Sequence, residues 1–248
     1  MQSQNRIRIY AGPNGSGKSS LYNVISKEYA SGLFVNADLI EKQLRNIGFI
    51  DLTEFNLQIN SVALENFKKL HSSISLIEKA KSEGYQINLI VKDNFIVNQP
   101  KTTNSYEAAF AASFIRYSLF VAKVNFTYET VMSDRFKLDE IIYANDSGYK
   151  TYLYFICTDD FEKNIERVKN RVLKDGHDVD EGKIKKRYFK TLENLADAIK
   201  LVHRAYIFDN SSDQYELLAE VYQGTAFKFH TDKIPAWFEE YVYNKFEF

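Results

Sequence analysis

Residues Gly12–Ser19 read GPNGSGKS, preceded by RIRIYA (Arg6–Ala11), a short apolar alternation, and followed by the helical pattern SSLYNVISKEY (Ser19–Tyr29). A strand, a glycine-rich turn and a helix in that order are the setting a phosphate-binding loop requires. Gly12, Gly15 and Gly17 let the backbone adopt conformations and approaches that a Cβ would block. The loop amides then form an anion nest, closed by the partial positive charge of the helix N-terminus. Lys18 reaches the β- and γ-phosphates, and the Ser19 hydroxyl is a ligand for Mg2+. The set expected around a nucleoside triphosphate is Gly12, Pro13, Asn14, Gly15, Ser16, Gly17, Lys18, Ser19 and Ser20. A glycine-rich turn with an incidental lysine is the alternative, and the flanking strand and helix argue against it.

At 248 residues the chain can bury a sizeable core as one large domain or as a domain with an insertion. A net charge of -1 exerts no overall pull on nucleic acid or an anionic membrane, so neither is expected as a partner. The single cysteine, Cys157, lies in the apolar run TYLYFIC and reads as a buried thiol in a reducing compartment. MQSQNRIRIY has no signal-peptide core, and no apolar stretch reaches bilayer length, so a cytoplasmic location is expected.

Further strand–helix units follow the loop. LFVNA (33–37) precedes a helix with Asp38 in its first turn, and KVNFTYE (123–129) precedes a helix closed by Gly148. YKTYLYFIC (149–157) leads to a helix capped by Asp159 or Asp160 and stopped at Gly176. A long charged helix, DEGKIKKRYFKTLENLADAIKLV, and a last core strand, RAYIFDN (204–210), complete the pattern. This alternation predicts an α/β P-loop NTPase fold, a three-layer α/β/α arrangement with a mainly parallel sheet and a helical lid. Residues 52–101 break the alternation and read as a mostly helical insertion, with a strand-like run YQINLIV (85–91) after its long helical pattern, within a single 1–248 domain. An alanine-rich helix over 104–121 follows. The tail 227–248 is aromatic, and Trp237, Phe238, Tyr241 and Val242 recur at the spacing of a docked terminal helix.

Beyond the loop, Asp38 follows a strand directly and should lie at the ligand edge of the sheet. It serves either as the base that deprotonates an attacking hydroxyl or as a helix N-cap. Glu129, at the end of FTYE, is placed to bind a substrate hydroxyl or to act as an outer-shell Mg2+ ligand, with a surface carboxylate as the alternative; Thr130 and Ser133 line the same wall. The segment 166–188 gathers Arg167, Arg171, Lys185, Lys186 and Arg187 around a short loop. The lysines read as a solvated face, whereas Arg171 and Arg187 suit a transferring phosphoryl group through their planar, permanently charged forks. His177 reads as a loop-structuring residue, and no role falls to His71, His203 or His230.

Together AGPNGSGKSS, FVNAD, the alanine-rich helix leading to FTYETVMS, GYKTYLYFI, ERVKNRVLKDGHDVDEGKIKKRYFKTLENL and YIFDNS form a family pattern. On these motifs, over most of 6–211 apart from 52–101, the chain resembles the zeta-toxin family of P-loop kinases. The resemblance implies a cytoplasmic kinase using ATP or GTP with Mg2+. The acceptor it implies is a sugar hydroxyl of UDP-N-acetylglucosamine, and the partner a small helical antitoxin. By the same resemblance Lys18 would bind phosphate, Asp38 act as base, Glu129 hold the substrate, and Arg171 with Arg187 neutralise the transferring phosphate. Two departures bear on substrate choice: the family loop GGHxVP is here Asp175-Gly176-His177-Asp178-Val179-Asp180, and the second Thr of ETT is Val131. A kinase acting on another metabolite or a nucleic-acid end, or a nucleotide-dependent binding protein without transfer, are the competing expectations.

Overall fold

The computed structural model describes residues 4–29, 32–100, 102–173, 179–212 and 214–247. The chain divides into two compact units, Met1–Gly32 with Thr127–Phe248, and Leu33–Phe126.

The first unit holds the phosphate loop between β1 (Arg6–Ala11) and α1 (Lys18–Ile25). Its other elements are β6 (Phe126–Thr130), α6 (Phe136–Asp146), β7 (Lys150–Cys157), α7 (Phe161–Val172), α8 (Glu181–Glu193) and α9 (Leu195–Leu201). β8 (Arg204–Asp209), β9 (Glu216–Tyr222), β10 (Ala226–Phe229) and α10 (Ala236–Tyr241) follow. The strands run in the order β10-β9-β8-β7-β1-β6. β1 pairs parallel with β7, and β7 with β8, whereas β9 and β10 extend the sheet antiparallel. The mainly parallel α/β architecture is thus present, with an antiparallel edge that the strand–helix alternation did not reveal.

Period-two patterning gives this sheet two different faces. One is fully buried: Ile7 and Ile9 of β1, Leu153 and Phe155 of β7, and Ala205 and Ile207 of β8. The other carries Tyr10, Tyr154 and Tyr206 as a stack across three strands, with ring centroids 4.7 and 4.9 Å apart. Leu21 of α1 covers the top of that face, against Tyr10 and Ile156. The tail starts as a strand rather than a helix, and its helix α10 is docked: Trp237, Phe238 and Val242 are buried. The long charged helix breaks at Asn194 into α8 and α9.

The second unit contains β2 (Leu33–Val35), α2 (Ala37–Ile47), β3 (Phe49–Asp51), a 3-10 turn (Leu52–Phe55), α3 (Ser61–Lys68) and α4 (His71–Ser82). β4 (Leu89–Lys92), β5 (Phe95–Asn98) and α5 (Ser105–Val121) complete it. α5 is the alanine-rich helix, and α2 packs along it. Asn104 caps α5 with Glu107 in a reciprocal capping box. Glu107 is buried; its carboxylate also accepts from the Asn88 backbone and the Asn98 side chain. Residues 52–101 are only partly helical: β4 and β5 form an antiparallel hairpin that pairs with β3 in a three-stranded sheet. Among the described residues no helix is long and apolar enough to cross a membrane.

Candidate active site

The loop leaves β1 at Ala11 and closes onto α1, with Gly17 in the left-handed conformation at the helix N-cap. A Cβ on Gly12 would collide with the Ile156 carbonyl oxygen, and one on Gly15 with that of Asn164. The backbone is therefore wrapped between the end of β7 and the first turns of α7, a path only glycine permits. Lys18 Nζ donates to the carbonyls of Gly12 (2.9 Å) and Pro13 (2.8 Å), which holds its ammonium over the loop. Ser19 Oγ donates to Glu129 Oε2 at 3.0 Å. The expected hydroxyl and the expected carboxylate of the first unit therefore meet at the loop.

The oxygen atoms of Ser19 and Glu129 form a hard donor pair of the type Mg2+ prefers. In loops of this kind most of the coordination shell comes from phosphate oxygens and water. Among the described residues no group of three or more His, Cys, Asp or Glu stands together as a ready metal cage. The loop is also polar where it is closed to solvent. Asn14 Oδ1, Ser16 Oγ and Asn164 Nδ2 are buried without a hydrogen-bond partner. Orphaned buried polar atoms are rare in native structures and mark where a ligand or water belongs.

Helix α7 packs against the loop through Asn164 and carries two arginines on the same face. Asp160, not Asp159, caps it by accepting from the Glu162 amide. Asn164 is buried against Gly15, and Arg167 and Arg171 follow it at three and seven residues, on the same helix face. Both arginines are half-buried, and Arg167 Nη1 is buried without a hydrogen-bond partner. On α8, Arg187 is half-buried while Lys185 and Lys186 are exposed; the Lys185 ammonium lies 4.7 Å from the Phe161 ring centre. The arginines are thus less exposed than the neighbouring lysines. In this respect Arg167 stands equal to Arg171.

The end of α8 is tied to the loop after β6. Thr191 Oγ1 lies 2.6 Å from the Arg187 carbonyl of its own helix and 2.8 Å from that of Val131, and Asn194 Nδ2 donates to that of Met132 (3.0 Å); Tyr188 OH donates to the carbonyl of Thr158, just after β7 (2.7 Å). Thr130 Oγ1 accepts from the Met132 amide, so this hydroxyl shapes the turn in which Met132 takes a φ of 59°. Cys157 is fully buried, and burial pushes its thiol well above the ordinary range, which leaves it inert. Gly176 and His177 lie outside the described residues.

Asp38 is in the second unit, exposed in the first turn of α2. That helix is capped by Asn36, whose Oδ1 accepts from the Leu39 amide at 3.0 Å. Capping therefore gives no reason for an aspartate at position 38. Asn164 is the residue that sequence reading missed. No local spacing signals it, because its contact is with a loop far away in sequence.

A glycine-built loop closes the end of β1 in a mainly parallel α/β sheet, which is the arrangement of the P-loop α/β fold. No family model and no curated protein matches the sequence. Among solved structures, a chain of the AvrRxo1-ORF1:AvrRxo1-ORF2 complex with sulphate ions superposes with a TM-score of 0.58 at 15% identity, over 97% of this chain and 64% of that one. The same complex with ATP superposes with a TM-score of 0.56 at 16% identity, over 92% and 61%. A chain of the PezAT chromosomal toxin–antitoxin system of Streptococcus pneumoniae gives a TM-score of 0.49 at 12% identity, over 98% and 80%. The present chain thus spans under two thirds of the AvrRxo1 chains it matches. At these identities the shared property is the fold, which is the P-loop α/β fold that the family resemblance implies.

Proposed function

We propose that the protein is a kinase of the zeta-toxin type, transferring the γ-phosphoryl group of ATP or GTP to a hydroxyl of a small acceptor such as a UDP-sugar. The observation that supports the reading is the Ser19–Glu129 pair beside Lys18 at one loop, with Asn164 of the arginine-bearing α7 packed against Gly15. A helix carrying two half-buried arginines suits the charge of a phosphoryl group in transfer. The complex with ATP formed by the structurally similar AvrRxo1-ORF1:AvrRxo1-ORF2 supports ATP as donor.

In this mechanism the loop amides and Lys18 hold the β- and γ-phosphates. Asp38 accepts the proton of the acceptor hydroxyl as its oxygen bonds to the γ-phosphorus. The bond from that phosphorus to the bridging oxygen breaks, and the electron pair leaves with the nucleoside diphosphate. Arg167 or Arg171 from α7, and Arg187 from α8, offset the charge on the equatorial oxygens. Glu129 and Thr130 orient the acceptor. Ser19, with Glu129 behind it, would hold Mg2+, which when bound offsets phosphate charge. The work is cytoplasmic in this reading, with a small antitoxin protein as the partner that the family resemblance implies.

Incubation with ATP, Mg2+ and a panel of UDP-sugars tests the assignment. Asp38→Asn should lower turnover about 100-fold or more while leaving ATP affinity unchanged. Lys18→Ala should weaken ATP binding itself. Full product formation by Asp38→Asn would remove the proposed base.

A further inference from the structure

Strand β8 ends in a corner that touches both the phosphate loop and the C-terminal helix. Asp209 and Asn210 form it, each 8% exposed. The Asn210 backbone N–H donates to the Cys157 carbonyl at 2.7 Å, and its side-chain Nδ2 donates to the Ser16 carbonyl at 2.8 Å. The same amide nitrogen occupies the space in which a side chain on Gly17 would begin. Asp209 faces the other way: its Oδ1 accepts from Trp237 Nε1 and from Ser211 Oγ, both at 2.8 Å, and its Oδ2 from the Ser211 amide at 2.9 Å. Trp237 is 4% exposed and packs near the Phe155 ring.

The consequence for the loop follows from the planarity of the peptide bond. In a trans peptide the C=O and the following N–H point in opposite directions. A donor that fixes the Ser16 carbonyl on the outer side of the loop therefore turns the Gly17 N–H to the inner side, where phosphate is held. Gly17, with a φ of 103°, carries no side chain to restrain this peptide. Without Asn210 the Ser16–Gly17 peptide is free to rotate, and one donor of the nest is lost.

We propose that Asn210 is a positioning residue for the phosphate loop, fixing the Ser16–Gly17 peptide for nucleotide, and that Trp237 acts through Asp209 to hold Asn210 in place. The inference rests on the nucleotide reading above. It makes the C-terminal helix part of the nucleotide site, although that helix contributes no atom to the loop. It also makes Trp237, the single tryptophan of the chain, a reporter of loop occupancy.

The test uses the full chain, with ATP affinity from calorimetry, Trp237 emission on ATP addition, and the melting temperature of each variant. The unaltered protein should change its tryptophan emission as ATP saturates it. Asn210→Ala and Asn210→Asp should each weaken ATP about tenfold or more, because a donor to a buried carbonyl is removed. Asn210→Asp preserves the shape and sets a carboxylate oxygen against the Ser16 carbonyl, so it should be the weaker binder even where Asn210→Ala folds poorly. Trp237→Phe keeps the packing and removes the N–H; a loss of about threefold is expected. A merely structural corner would lower the melting temperature and leave ATP affinity alone. ATP binding by Asn210→Asp within about twofold of the unaltered protein would overturn the proposal. Failure of the unaltered protein to bind ATP would instead overturn the nucleotide reading, and this inference with it.

Discussion

Gly15 sits where the phosphate loop passes the Asn164 carbonyl, with a φ of 77°. Alanine there meets two costs at once, a left-handed backbone and a collision with backbone rather than with a side chain that can move aside. Gly15→Ala should therefore lower folding stability by about 2 kcal/mol or more. It should also abolish ATP binding, and thermal denaturation with calorimetry would check both effects. At this scale much of the site was legible. Lys18, Ser19 and the three loop glycines follow from one motif, and the meeting of Ser19 with Glu129 follows from two strand ends on one edge. Asn164 and Asn210 were not legible. They act through a backbone carbonyl and a side-chain amide against a loop far away in sequence, and no local spacing encodes such a contact.

Among the helices, α7 separates its charges by depth. Arg167 and Arg171 are half-buried on the face that meets Gly15, whereas Lys169 is exposed and pairs with Glu181 at 2.7 Å. Arg167→Ala or Arg171→Ala should reduce turnover by about 100-fold or more, as for other groups that stabilise developing charge. Lys169→Ala should change it by no more than about twofold, since exposed ion pairs contribute little. Steady-state kinetics on the three variants would separate the faces. The tyrosine stack makes a different prediction. Burial, with its neighbours Tyr206 and Tyr152, pushes the Tyr154 phenol up to about 12, and burial raises Tyr10 and Tyr206 as well. A raised acid holds its proton more tightly folded than unfolded, so the stability linked to it is complete below the unfolded value of about 10 and is lost as pH rises toward 12. Denaturant titrations at pH 9 to 12 should show this decline, and Tyr154→Phe should make it shallower. Element boundaries were least legible where long-range polar groups intervene. The helical pattern through 181–202 has no local stop; the break at Asn194 comes with its amide reaching the Met132 carbonyl. The hairpin of β4 and β5 turns through Asp93 and Asn94, both at positive φ; the strand-like run YQINLIV covers most of β4, whereas β5, four residues long, is too short for alternation to declare it.

In the whole molecule, the first unit supplies the phosphate loop, the arginine helices and the C-terminal strut, while the second carries Asp38 on α2. The alternation of strands and helices foretold the parallel core because each βα unit has its own local pattern. It did not foretell that residues 52–101 share a compact unit with β2, α2 and α5, since that grouping comes from packing between distant segments. The central claim is that phosphate moves from a nucleotide to a separate acceptor. The most direct measurement is mass spectrometry of a cellular metabolite extract incubated with the full chain, Mg2+ and ATP carrying a labelled γ-phosphate. The account predicts one class of small molecule that gains the labelled phosphoryl group with the unaltered chain and does not with Lys18→Ala. Bound ATP with no labelled acceptor, or label released only as inorganic phosphate, would contradict it.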